Sequence, residues 1–139
     1  MNTEQEILNI EVNSSSQNKR KFDLEERLID FSILIIEISE SLNKTPSGIY
    51  ISGQIVRSGT SPALHYGEAQ SAESRADFVH KLKILLKELR ETLVALKLIK
   101  RYPLTNKLEI IDKALAEGHE LIAIFNKSVE TAKKNNEKK

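Results

Sequence analysis

From Asp23 onward the apolar positions of the chain fall into four stretches of helical period. Leu24, Leu28, Phe31, Ile35, Ile38 and Leu42 recur at alternating steps of four and three, which places them on one face of a helix. Asp23 is a good N-cap, and Glu26 three positions on completes a capping-box pattern. The helix is predicted to stop in Asn43-Lys44-Thr45-Pro46-Ser47-Gly48, where Pro and Gly do not continue the hydrogen-bond ladder. Ile51, Ile55 and Val56 predict a second helix over about 47–70, interrupted by Gly53, Gly59 and Pro62. Pro62 lacks an amide donor and crowds the preceding turn, so this helix is expected to kink or break near Gly59–Pro62.

The third stretch is the most regular. Ser74 and Asp77 resemble a capping box, and Phe78, Leu82, Leu85, Leu89, Leu93 and Leu96 form a seam running to Arg101, with Pro103 beyond it. The fourth is predicted from Leu104 to Ala132 on Leu108, Ile111, Leu115, Ile122, Phe125 and Val129, with Gly118 where another helix can approach closely. Four helices with short connections predict an all-α fold, an antiparallel up-down-up-down four-helix bundle spanning residues 22–133. Residues 1–21 read as a flexible arm. Within the arm Ile7, Leu8, Ile10 and Val12 form either a short extended segment or an unstructured stretch that docks on a neighbour. Residues 134–139 read as a charged flexible tail.

Some apolar residues fall outside the seams. Ile33 and Ile36 on the first helix and Val79, Ile84, Leu86, Val94 and Leu98 on the third widen the apolar coverage. A wide core face would account for them. A helix that is apolar nearly all round must be covered all round, so a subunit interface is the reading taken.

Composition sharpens the class. Apolar residues make up 40% and charged residues 29% of the 139, ordinary for a soluble globular chain. Aromatic residues are scarce at 5%, and five Gly and three Pro leave little material for a turn-rich fold. The absence of cysteine excludes disulfides, thiolate metal sites and thiol nucleophiles, and fits a reducing cytoplasm. No apolar run approaches a membrane span, and the first twenty residues lack the layout of a signal peptide. A net charge of +1 gives no global attraction to nucleic acid or lipid, so any such binding needs a local patch.

The known arrangements for catalysis are missing. No nucleophile elbow, P-loop or dinucleotide fingerprint occurs, and no strand is predicted for one to follow. A di-metal carboxylate site in a bundle needs two Glu-x-x-His motifs and two further acids. The nearest match is the single Asp77-Phe78-Val79-His80, while His65 precedes Glu68 and Glu117 stands two from His119. We therefore expect no catalytic, cofactor or metal site and no small-molecule substrate. The third helix does carry charge, with eight Lys or Arg against three acids from Arg75 to Arg101. Lys83, Lys87, Arg90, Lys97 and Arg101 share one flank of its seam, and Asp77, Glu88 and Glu91 the other. In a monomer these are solvated rims with Asp77–Lys81 and Lys87–Glu91 pairs; repeated around an oligomer, the basic strip would meet the phosphates of RNA or DNA.

The central helices carry a family pattern. Gln54-Ile55-Val56-Arg57-Ser58-Gly59-Thr60-Ser61, His65-Tyr66-Gly67-Glu68-Ala69, Asp77-Phe78-Val79-His80-Lys81-Leu82-Lys83 and Lys87-Glu88-Leu89-Arg90-Glu91-Thr92 together resemble the four-helix-bundle proteins of 23S rRNA intervening sequences. The resemblance implies a non-enzymatic bundle that assembles as a cyclic homopentamer, itself its main partner. A related branch, the accessory variability-determinant proteins of diversity-generating retroelements, pairs with a reverse transcriptase and binds nucleic acid through a basic surface. By the family motif, Arg57, Glu68, Asp77, Lys81, Glu88 and Glu91 would be the characteristic polar positions, as ion-pair partners of the second and third helices. Pro62 and His65 depart from the pattern, standing where the family commonly has Ile and Asn.

Overall fold

The structure is a computed structural model and describes residues 23–137. Within it the chain folds into four helices, α1 (Leu24–Ser41), α2 (Pro46–Gln70), α3 (Arg75–Arg101) and α4 (Leu108–Glu137). Cross-contacts pair rising numbers on one helix with falling numbers on its neighbour. Ser52 Oγ donates to Ser39 O and Ser32 Oγ to Gly59 O between α1 and α2. Arg57 meets Glu91 and Lys81 meets Glu68 between α2 and α3, and Arg90 meets Asn126 and Lys100 meets Asp112 between α3 and α4. The arm expected over residues 1–21 lies outside the described residues, as do 138 and 139.

The seams meet in one core. Leu28, Phe31, Ile35 and Ile38 of α1, Ile55 of α2, Leu82, Leu85, Leu89 and Leu96 of α3 and Ile111, Leu121 and Phe125 of α4 are all fully buried. Each such side chain removed from water contributes about 1.5–3 kcal/mol, so the core is the main source of stability. Tyr66 packs edge-on against Phe125 at 5.5 Å, and burial raises its phenol pKa. Leu86, read from the sequence as surplus to the core, is buried in it, and Val79 packs against it.

The structure corrects the expected boundaries in four places. Asp23 stands at the N-cap of α1 but its side chain makes no cap hydrogen bond, so the capping box with Glu26 does not form. Helix α2 runs through Pro62 without a break. Hydroxyls bond the carbonyls on this stretch, Thr60 Oγ1 to Val56 O and Ser61 Oγ to Arg57 O, both at 2.7 Å, and the proline itself is buried. Helix α4 begins at Leu108, not Leu104, because Leu104 and Thr105 are buried in the connection. There Asn43 N donates to Leu104 O at 2.8 Å and Thr105 Oγ1 shares a hydrogen bond with Ser41 Oγ at 2.9 Å. At its other end α4 continues to Glu137, taking in most of the tail expected from Lys134.

Two caps are made as their residues suggest. Ser74 Oγ accepts from Asp77 N at 3.0 Å at the start of α3, and Thr45 Oγ1 accepts from Gly48 N at 3.1 Å ahead of Pro46 at the start of α2. Gly118 is buried, and a methyl group there would stand 2.5 Å from Leu93 Cδ2 of α3. The α1–α4 contact is the slightest of the four neighbouring pairs. Arg27 spans it, donating to Glu117 at 2.9 Å and Glu120 at 2.8 Å, and the bond to Glu117 is the main reason its pKa is raised.

Candidate functional site

No catalytic constellation emerges from the described residues. His65 Nδ1 lies 2.8 Å from Glu88 Oε1, half-buried between α2 and α3, while His80 and His119 are exposed. Among the described residues no three His, Asp or Glu side chains converge as metal ligands would, and no helix is long and apolar enough to cross a membrane.

The family-motif polar positions gather along the α2–α3 contact. Arg57 Nη2 bonds Glu91 Oε2 at 2.8 Å and Lys81 Nζ bonds Glu68 Oε1 at 3.0 Å. These bonds hold the Glu68 pKa below and the Lys81 pKa above the usual value for each group. Asp77 supplies its backbone amide to the Ser74 cap and lends Lys81 a weaker charge interaction. The expected Lys87–Glu91 pair does not form, because Glu91 turns to Arg57 on the neighbouring helix. Exposed pairs of this kind are screened by water and contribute little to stability. Beneath them lies a buried polar contact that the sequence reading missed: Thr92 Oγ1 donates to Ser58 Oγ at 2.9 Å. Its only sequence signal is a small hydroxyl residue at an apolar-phase position on each helix.

The basic flank of α3 faces outward. Lys83, Lys87, Arg90, Lys97 and Arg101 are all exposed, and Arg90 reaches Asn126 of α4 at 3.0 Å. Lys83 stands beside Lys133 of α4, and that neighbouring ammonium lowers its pKa. Among the described residues Lys83, Lys87, Lys97 and Arg101 have no ion-pair partner. The acids Glu88 and Glu91 turn instead toward α2.

Among the described residues, six of the ten exposed large apolar side chains fall into two groups, with Ile49, Leu64, Val94 and Leu108 outside them. Ile29, Ile33 and Ile36 stand on the outer side of α1, Ile33 at 50% exposure. Tyr50 of α2 and Leu98 and Tyr102 near the end of α3 surround a hollow of about 220 Å³, with Tyr102 68% exposed. Helices α1 and α3 sit diagonally in the bundle, each packed on α2 and α4, so these faces point away from each other. Ile33, Ile36, Val94 and Leu98 were legible as surplus to the seams, and all four are exposed. Ile29, Tyr50 and Tyr102 were not singled out, although the spacing of Ile29, Ile33 and Ile36 is itself helical.

Residues 20–127 match the family model of the 23S rRNA-intervening sequence proteins. The chain is also similar to a crystal structure from Bacteroides thetaiotaomicron, described as a protein with unknown function from the S23 ribosomal protein family. The two are 30% identical with a TM-score of 0.69, over 76% of this chain and 96% of that one. No curated protein matches the chain.

Proposed function

We propose that this chain, which belongs to the 23S rRNA-intervening sequence protein family, is one subunit of a homo-oligomeric scaffold and not an enzyme. The observation that carries the reading is the pair of apolar faces. Soluble monomers rarely leave large side chains exposed in clusters, and a cluster rimmed by polar residues marks a contact surface. Two unlike faces pointing apart support a head-to-tail contact, in which the α1 face of one copy meets the Tyr50–Leu98–Tyr102 hollow of the next. Head-to-tail contacts close into a ring when the rotation permits. Five subunits is the number the family resemblance implies, and a chain without cysteine suits the cytoplasm. Light scattering on the purified protein should give a mass that is a multiple of 15.7 kDa. A strictly monomeric mass at micromolar concentration would end the proposal.

A second reading rests on the outward cations. Lys83 and Lys133 stand together as like charges, an arrangement that an intervening phosphate relieves, and Lys87 and Arg90 extend the strip along α3. In a ring the strip would repeat once per subunit, supplying the charge that a net +1 chain lacks alone. This predicts RNA or DNA binding that weakens steeply as salt rises, with Lys87→Glu and Arg90→Glu weakening it further. Absence of binding at low salt would leave only the scaffold reading.

A further inference from the structure

Leu24, where the bundle begins, lines a groove of about 700 Å³ between the start of α1, the start of α3 and the last turns of α4. Phe78 and Ile124 share its apolar lining, and Arg75 and Lys127 stand on its polar side. Arg27 also borders it, but its guanidinium is already held by Glu117 and Glu120. Among the described residues neither Arg75 nor Lys127 has an ion-pair partner. The groove thus offers apolar surface together with two uncommitted cations.

The chain ahead of Asp23 carries the complementary chemistry. Glu4 to Val12 holds four large apolar residues, Ile7, Leu8, Ile10 and Val12, and three acids, Glu4, Glu6 and Glu11, with no Lys or Arg before Lys19. This stretch precedes residue 20, where the family match begins. Eleven residues separate Val12 from Leu24. A stretch of that length reaches about 36 Å when fully extended, enough to fold back over the groove. Tethering at that range sets an effective concentration of about a millimolar, so even weak complementarity gives high occupancy.

We infer that residues Glu4–Val12 occupy the α1–α3–α4 groove of their own chain. The apolar side chains cover Phe78 and Ile124, and the glutamates lie toward Arg75 and Lys127. The inference stands on the groove and the segment alone, whether or not the chain assembles with other copies.

The chain has no cysteine, so a single introduced thiol reports on the groove without background. Ala123→Cys places it among the groove residues, and Gly53→Cys, with nothing within 4 Å of an added side chain, serves as the control on α2. In the full-length protein Cys at 123 should react with a bulky maleimide about tenfold or more slowly than in the same protein carrying Leu8→Asp and Ile10→Asp. The control thiol should react equally in both backgrounds. Equal rates at position 123 overturn the inference: fast in both means an open groove, slow in both means that another copy covers it. Protection that is lost on dilution also overturns it, because the segment then comes from a neighbouring chain.

Discussion

Gly59→Ala is expected to destabilise the fold by about 1–3 kcal/mol, while Gly53→Ala and Gly67→Ala in the same helix are expected to stabilise it by about 0.5–1 kcal/mol. All three substitutions add one methyl group to an α2 position and recover the same backbone entropy. The surroundings decide the sign. Nothing lies within 4 Å of an added methyl at Gly53 or Gly67, so the helix-propensity gain stands alone. At Gly59 the methyl would lie 2.6, 2.8 and 2.9 Å from Cγ2, Cγ1 and Cβ of Ile35. Ile35 is fully buried and β-branched, so in α1 it has essentially one rotamer and no direction in which to retreat. Separating α1 from α2 would also strain the Ser32 Oγ to Gly59 O hydrogen bond at 3.3 Å. Thermal unfolding reads the result directly, at roughly 3–5 °C per kcal/mol for a domain of this size. Equal stability of the Gly59 and Gly53 variants would mean that the α1–α2 approach is looser than the structure has it. Ile35→Ala gives a second check. Alone it should cost about 2–5 kcal/mol, but with Gly59→Ala the loss should fall short of the sum, since one change removes the atoms that clash with the other.

The same contact shows where the sequence speaks clearly and where it does not. The spacing from Leu82 to Leu96 leaves one solution for α3, a buried stripe, because five Leu at that period have no other low-energy arrangement than one helix face. Pro62 is the opposite case. Local chemistry argues for a kink or break, yet α2 continues through it because tertiary burial on both sides of the proline outweighs a cost of about 3 kcal/mol. The start of α4 was hidden for a related reason. Leu104 has the right phase for a helix, but its carbonyl is taken by Asn43 N from the α1–α2 connection, a long-range contact that no local pattern encodes.

The candidate surfaces were partly legible for reasons of the same kind. Helical phase separates the basic from the acidic flank of α3, and the structure turns Glu88 and Glu91 toward α2 and the basic residues outward. Phase does not choose between partners at equal reach. Glu91 is four residues from Lys87 but bonds Arg57, whose guanidinium also meets Gln54 Oε1 and so arrives already oriented. The hollow beside Tyr102 depends on how the start of α2 meets the end of α3, which is tertiary information.

Chains carrying Ile33→Asp and chains carrying Leu98→Asp are each expected to fail to assemble alone, and to form a one-to-one heterodimer when mixed. Ile33 and Leu98 are 50% and 48% exposed, so a carboxylate at either leaves the fold of the monomer intact. In an apolar contact between copies the same carboxylate would be buried without a partner, at a cost of several kcal/mol. In a head-to-tail ring every contact joins an α1 face to an α2–α3 hollow. The Ile33→Asp chain keeps only the hollow and the Leu98→Asp chain keeps only the α1 face, so neither pairs with itself. Mixed, they have one intact contact between them and two spoiled ends, which stops growth at a mass of about twice 15.7 kDa. A contact in which each face met its own copy would behave differently. Each single variant would then dimerise through its undamaged face, and mixing would add nothing. Light scattering of the two variants, alone and mixed at tens of micromolar or above, separates these geometries. The mixed sample also separates assembly from folding, because only folded chains with complementary faces gain mass on mixing.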